Sequence, residues 1–303
     1  MFEAIWIVCI CEPGDEPGDE PGDEPGDEPG GEPQIATPNG HIPSTSSPNV
    51  QSPQIPTPDV TALFAPYHNA FMVGFADGTV RPQGNITRAE VVTVLFRLLS
   101  DDFRAQVWSQ DNDFYDVNID SWFNNSVSTM TNAGIISTGN DMFRPNDAVP
   151  RAEFAAMIAR FFSEFPASEN VFSDTYGNWA QDYINLVAQF GWVQGAGDGT
   201  FNPNANMSRA EAAAIVNRML NRVLTGHDGL LDGRTRWADK TNVNAWYYLY
   251  LQEATHSTLF ERSSAGGLVW TQILPHLDWT VMERPDSIPE SISTLLSHFN
   301  IRK

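Results

Sequence analysis

Three stretches of this chain place apolar residues at the spacing of one helix face, and all three do so in the same phase. After Arg88 the stripe is Val91, Val94, Leu95, Leu98 and Leu99. After Arg151 it is Phe154, Met157, Ile158, Phe161 and Phe162, and after Arg209 it is Ala212, Ile215, Val216, Met219 and Leu220. Positions i, i+3, i+4 and i+7 share one side of an α-helix, so each stretch predicts a helix with one buried face. Each stretch opens with Arg-Ala-Glu, and the three arginines stand 63 and 58 residues apart. Arg97, Arg160 and Arg218 also recur at one phase and read as structural, pairing with acids or covering apolar surface with their stems.

A second predicted helix precedes two of these stretches. Phe114-Tyr-Asp116 leads to Trp122, Val127, Met130 and Gly134, and Phe172-Ser-Asp174 leads to Trp179, Ile184, Val187 and Gly191. The glycines sit where a left-handed residue ends a helix. The aspartates sit where a carboxylate suits the positive end of a helix dipole. The tryptophans at this repeated position, Trp246 included, are read as core residues. Between the paired helices a turn recurs: Gly74-Phe-Ala-Asp-Gly-Thr-Val-Arg-Pro82, Gly139-Asn-Asp-Met-Phe-Arg-Pro145 and Gly197-Asp-Gly-Thr-Phe-Asn-Pro203. The first repeat lacks a helix before its turn. The missing half stands at the other end, where Trp237-Ala-Asp239 leads to a helical run from Ala245 to Thr255. A half-unit at each end implies that the C-terminal helix packs beside the first repeat and closes a ring of three.

Ahead of this region the pattern is different. Residues 12–27 are four copies of Glu-Pro-Gly-Asp, and ten carboxylates with no base fall between Glu12 and Glu32. Proline every fourth residue and dense like charge allow neither helix nor core, so residues 1–59 are expected to be a disordered stub and an extended linker. The stub, MFEAIWIVCIC, is too short for a membrane span and lacks a basic leader, so it reads as a gene fragment or a misplaced start, with the export signal expected upstream. The expected divisions are 1–59 for stub and linker, 60–100 for a partial first repeat, 101–165 for the second and 166–225 for the third. A closing segment at 226–280 and a tail at 281–303 complete the chain.

Composition narrows the chemistry. Apolar residues are 41% of the chain, enough for a core, and the formal net charge is −21. That balance argues against nucleic acid and against anionic lipid as partners. Cys9 and Cys11, the only cysteines, lie in the stub, so the body has no disulfide and no thiolate zinc site. No nucleophile elbow, zinc-helix motif or phosphate loop occurs, and the acids recur with the repeat instead of forming an unequal catalytic pair. No enzyme, cofactor or metal is expected, and Asp111-Asn112-Asp113 lacks the rest of a calcium loop. The histidines His68, His227, His256 and His276 are scattered.

The ordered pattern of aromatic-x-Asp, Trp, Gly-Ile, Asp-Gly-Thr-Phe-x-Pro and Thr-Arg-Ala-Glu resembles the S-layer homology repeat, and the resemblance covers residues from about 60 to 280. It implies an all-α, mainly helical fold in which three helix-loop-helix repeats take a pseudo-threefold arrangement. It implies a non-catalytic anchor on the surface of a Gram-positive cell wall, with a secondary cell-wall polysaccharide, often pyruvylated, as partner. By motif, Arg88, Arg151 and Arg209 are expected to meet the ligand carboxylate, adding guanidinium forks to unpaired first-turn amides. Asp77, Asp198, Thr87 and Ser208 are expected beside them at the glycan. Glu90, Glu153 and Glu211 are assigned to helix capping. Pro150, which replaces the hydroxyl residue of the other repeats, makes Arg151 the expected weakest of the three sites. The alternatives are the anchoring tail of a larger surface enzyme, such as a polysaccharide hydrolase, and a structural S-layer lattice protein. The sequence leaves the oligomeric state open.

Overall fold

Helices α1 (Arg88–Leu98), α4 (Arg151–Ala159) and α6 (Arg209–Met219) all start at the arginine of Arg-Ala-Glu. In α1 the Thr87 hydroxyl accepts from the Glu90 amide while the Glu90 carboxylate accepts from the Thr87 amide, and Ser208 with Glu211 does the same in α6. Such a reciprocal cap satisfies two amides left without helical partners. The computed structural model describes residues 60–64, 68–137, 141–162, 169–239, 242–283 and Ser291. The expected linker and stub at 1–59 lie outside them, as does nearly all of the expected tail.

Helix α4 shows how much of the cap is supplied by neighbours. Pro150 makes no side-chain cap bond, and it has no amide hydrogen to offer, so the capping role expected of Glu153 is not filled. The helix nonetheless begins at the same residue. The Arg151 and Ala152 amides donate to the carbonyls of Ala205 and Pro203, both at 2.9 Å. The same bonds run from Arg88 and Ala89 to Asp147 and Pro145, and from Arg209 and Ala210 to Gly84 and Pro82. The first-turn amides are therefore already occupied by the loop of the next repeat, contrary to the expectation that they are free for an anion.

The apolar residues just before the caps lock the repeats together. Ile86 donates to Met207 at 3.0 Å, Met207 to Val149 at 2.8 Å and Val149 to Ile86 at 3.1 Å, a closed cycle of three main-chain bonds. All three side chains are fully buried. Backbone groups sealed from water must be paired, and here each repeat pairs the next.

The second helix of each unit is α3 (Asn124–Asn132), α5 (Gln181–Gln189) or α7 (Tyr248–Thr255). The aspartates ahead of them do more than face a dipole. Asp116 accepts from the amides of Phe143 and Arg144, both at 2.7 Å, and Asp174 from those of Phe201 and Asn202, both at 2.8 Å. Asp239, from the C-terminal half-unit, does this for Val80 and Arg81 of the first repeat. The clamp holds Arg81, Arg144 and Asn202 at φ of 49°, 58° and 59°, a left-handed conformation costly for arginine. Ring closure shows in the helix ends as well. Ile135 and Ile136 donate to Met130 at the end of α3, and Phe71 and Met72 donate to Ala254 at the end of α7. Thus α7 stands before the first repeat as α3 stands before the second.

Helix α2 (Asp101–Val107), capped by Ser100, follows α1 directly. After α7 the chain forms a hairpin of β1 (Ser257–Arg262) and β2 (Leu268–Leu274), antiparallel with one register shift at Leu259/Phe260, so the fold is mainly helical and not all-α. Leu268 and Trp270, alternating along β2, bury against Leu224, the period-2 pattern that a strand requires. A four-residue helix, α8 (Thr280–Glu283), follows the hairpin. Helix α2, the strands β1 and β2, and helix α8 were not foreseen.

Candidate functional site

The three signature arginines are side chains of one lattice. Each sends Nε to a carbonyl of the next repeat's turn: Arg88 to Phe143 at 2.5 Å, Arg151 to Phe201 at 2.8 Å and Arg209 to Val80 at 2.9 Å. Each pairs its Nη1 with the next repeat's helix-opening glutamate: Arg88 with Glu153, Arg151 with Glu211 at 2.6 Å and Arg209 with Glu90 at 2.8 Å. Arg151 and Arg209 also reach Gln194 O and Val73 O through Nη2. They are 7%, 9% and 4% exposed in chain order, so most of each guanidinium is already spoken for by protein. Burial pulls Arg88 down to about 10 and lowers Arg209 as well. The neighbouring carboxylates keep these cations in place, since a buried charge is tolerable only when paired.

Beside Arg151 lies a groove of about 350 Å³, lined mainly by the third repeat with Gln194, Asn206, Glu211 and Arg218, by Arg151 from the second, and by Trp246 from the C-terminal half-unit. Trp246 was expected in the core but is 56% exposed, and its counterpart Trp179 is 62% exposed. Trp122 is half-buried. Arg218 lies with its guanidinium 5.0 Å from the Tyr250 ring and bonds Trp192 O and the Gln194 side chain. Arg218 also lines the groove. The groove thus combines an indole face, amide side chains and two guanidinium groups. That set fits a sugar ring carrying a carboxylate: the indole for stacking, the amides for hydroxyls and the cations for the acid.

Of the other residues expected at a ligand, Thr87 and Ser208 spend their hydroxyls on the caps already described. Asp77 and Asp198 each accept from the hydroxyl and amide of the threonine two residues on, at 2.6 and 2.9 Å, in exposed turns. Those threonine bonds, with Arg81 adding to them, hold the Asp77 carboxyl down to about 2. Neither aspartate lines the groove at Arg151. The sequence reading took Arg218 as structural and Trp246 as core, and did not single out Gln194 or Asn206. The signal available for the first two was their recurrence at one phase, with Trp246 just ahead of α7 and Tyr250 four residues on.

His68 and His256 are buried apart from this groove, 7% and 2% exposed. His68 bonds Glu253 at 2.8 Å, and Glu253 accepts from the Trp270 indole at 2.7 Å. Among the described residues no group of three or more His, Cys, Asp or Glu side chains is placed to hold a metal ion. No described helix is long and apolar enough to cross a membrane.

Comparison with known proteins bears on the repeats directly. The S-layer homology domain family matches at residues 67–92, 113–155 and 171–213. The chain is 30% identical over 220 residues to cell surface glycoprotein 1 of Acetivibrio thermocellus, an alignment that covers 67% of this chain and 9% of that protein. It is 30% identical to the cellulosome-anchoring protein of the same organism, over 61% of this chain and 42% of the other. It is also 30% identical to the amylopullulanase of Thermoanaerobacterium thermosulfurigenes, over 54% and 9%. The chain therefore spans less than half the length of each of these relatives. With one family match at each arginine-led unit, the chain carries three S-layer homology domains and belongs to that family of repeat modules.

Proposed function

We propose that this chain is a non-catalytic anchor that holds a secreted protein on a bacterial cell wall by binding a secondary cell-wall polysaccharide between its repeats. The observation that carries the reading is the groove at Arg151, where Trp246, Asn206, Gln194 and Arg218 converge. A pyruvylated terminal sugar fits its chemistry: the ring on the indole, hydroxyls on the amides, and the ketal carboxylate between Arg218 and the free N–H groups of Arg151. Arg88 and Arg209 hold the corresponding positions of the other two grooves. Asp77, Asp198, Thr87 and Ser208 contribute by fixing the loops that shape them. The closed cycle of bonds among Ile86, Val149 and Met207 supports a pseudo-threefold arrangement, and with it repeated binding.

The test is co-sedimentation of the chain with sacculi from a bacterium that makes a pyruvylated wall polymer. Binding is expected to intact sacculi and to vanish after acid extraction of the polymer. Equal binding to the bare peptidoglycan would overturn the ligand. A second reading, that the module is the anchoring part of a larger surface enzyme, is favoured by the amylopullulanase relative, of which the alignment covers only 9%. The coding sequence flanking these residues discriminates the two.

A further inference from the structure

The three repeats place an arginine at one position, nine residues after the signature arginine of α1, α4 and α6, and in two of them its surroundings agree. Arg160 donates to Ile135 O at 2.7 Å and lies 5.4 Å from the Tyr183 ring of α5. Arg218 donates to Trp192 O at 3.4 Å and lies 5.0 Å from the Tyr250 ring of α7. Both are half-buried, with part of the guanidinium open to solvent. Arg97 makes the corresponding bond, to Phe71 O at 3.0 Å. Yet the residue of α3 that matches Tyr183 and Tyr250 is Ser126, which has no ring to offer.

The gap is filled from the C-terminus. Trp279 brings its ring to 5.4 Å from the Arg97 guanidinium and anchors itself by an indole bond to Ala70 O at 3.0 Å. One helical turn on, Glu283 accepts from Arg97 Nε at 2.5 Å. Arg97, Trp279 and Glu283 are 8%, 7% and 3% exposed. In the open groove Tyr250 supplies the aromatic face at Arg218, and a carboxylate is what the proposed ligand would bring. Here both come from the chain itself.

We infer that the segment Asp278–Glu283 occupies the Arg97 end of the third groove as an internal stand-in for the glycan carboxylate, so that at most two of the three equivalent grooves are open. The inference rests on the glycan reading for its consequence, though not for the contact itself. Ser126 is the sequence feature that makes room for Trp279. The arrangement leaves ligand to the grooves at Arg160 and Arg218, where no such segment sits among the described residues.

The experiment has two arms on the full chain. In the first, arginines are labelled with phenylglyoxal and the sites are mapped by mass spectrometry. Arg97 is expected to react about tenfold more slowly than Arg218, and to approach it in Trp279→Ala/Glu283→Gln, because labelling of a buried group waits on local opening. The near-isosteric Glu283→Gln alone is expected to raise Arg97 labelling severalfold, and it guards against a double variant that fails to fold. Slow labelling of Arg97 in a cooperatively folded variant would overturn the inference. In the second arm, calorimetric titration with a pyruvylated end-fragment of wall polymer gives the number of sites. The double variant is expected to gain one site per chain. Arg97 opening without that gain would overturn the claim that the segment is what excludes ligand. A wild-type chain that binds no fragment at all would instead remove the glycan reading, while the labelling arm would still decide whether the segment fills the groove.

Discussion

Residue by residue, the side chains that recur most faithfully serve the contacts between repeats. Glu211 both caps α6 and pairs with Arg151. Glu211→Ala removes both roles and leaves a mostly buried cation short of a partner. It is expected to destabilise the chain by about 1–3 kcal/mol, discounted for the partial exposure of the pair and measured by denaturant unfolding. Gly195 permits a close approach: a β-carbon there would stand 2.8 Å from the Phe172 ring and 2.4 Å from Thr200 O. Gly195→Ala is expected to cost roughly 1–3 kcal/mol by overpacking, whereas the same change at Gly197, with open space around it, acts only through its positive φ. The buried histidines set a pH dependence. Burial lowers His68 and His256 from 6.5 to about 4, so the unfolded chain binds their protons first as pH falls. Stability is therefore expected to be fully present above about 6.5 and to decline toward pH 4, as a falling thermal midpoint over that range. His68→Gln should flatten the decline. None of this network was legible from the sequence, because scattered histidines carry no spacing signal until the fold brings His68 to Glu253.

At the scale of elements, the phase of the apolar stripes located α1, α4 and α6 down to the first residue, since each begins where an extended residue meets Arg-Ala-Glu. Pro150 leaves α4 without a side-chain cap, as its sequence implies, and the consequence for binding at Arg151 is set by measurement. Loss of a hydroxyl cap was expected to loosen the first turn of α4, but that turn is held by Ala205 O and Pro203 O of the next repeat, and Arg151 lines the groove. Arg151→Ala is accordingly expected to weaken glycan binding at least as much as Arg88→Ala, and calorimetry on the two variants checks the order. The tryptophans were misread because burial is the usual state of a large aromatic. On α5 and α7 the apolar face is completed without them, by Ile184 and Val187 or by Leu251 and Ala254, which frees the indoles to face outward. The β1–β2 hairpin was missed because its alternation is short and follows a helix without a break.

For the whole molecule, the ring depends on its last quarter. Asp239 clamps the first repeat's turn, Ala254 receives Phe71 and Met72, and the turn ahead of α7 carries Trp246 into the groove. Deleting residues 237–278 is expected to lower the thermal midpoint by roughly 10 °C or more, as loss of several kcal/mol would. An unchanged midpoint would exclude ring closure by these residues. The arithmetic of half-units made this closure readable from sequence, whereas the groove itself was not, because it exists only between units. The most direct measurement of the account is calorimetric titration of a defined pyruvylated end-fragment into the full chain and into Trp246→Ala. The side chain is 56% exposed, so its removal should leave the thermal midpoint within about 2 °C of wild type. Affinity at the groove it lines is expected to fall about tenfold or more, equivalent to roughly 1.4 kcal/mol of lost stacking. An unchanged affinity and site number in the folded variant would contradict the account and move the ligand away from this groove.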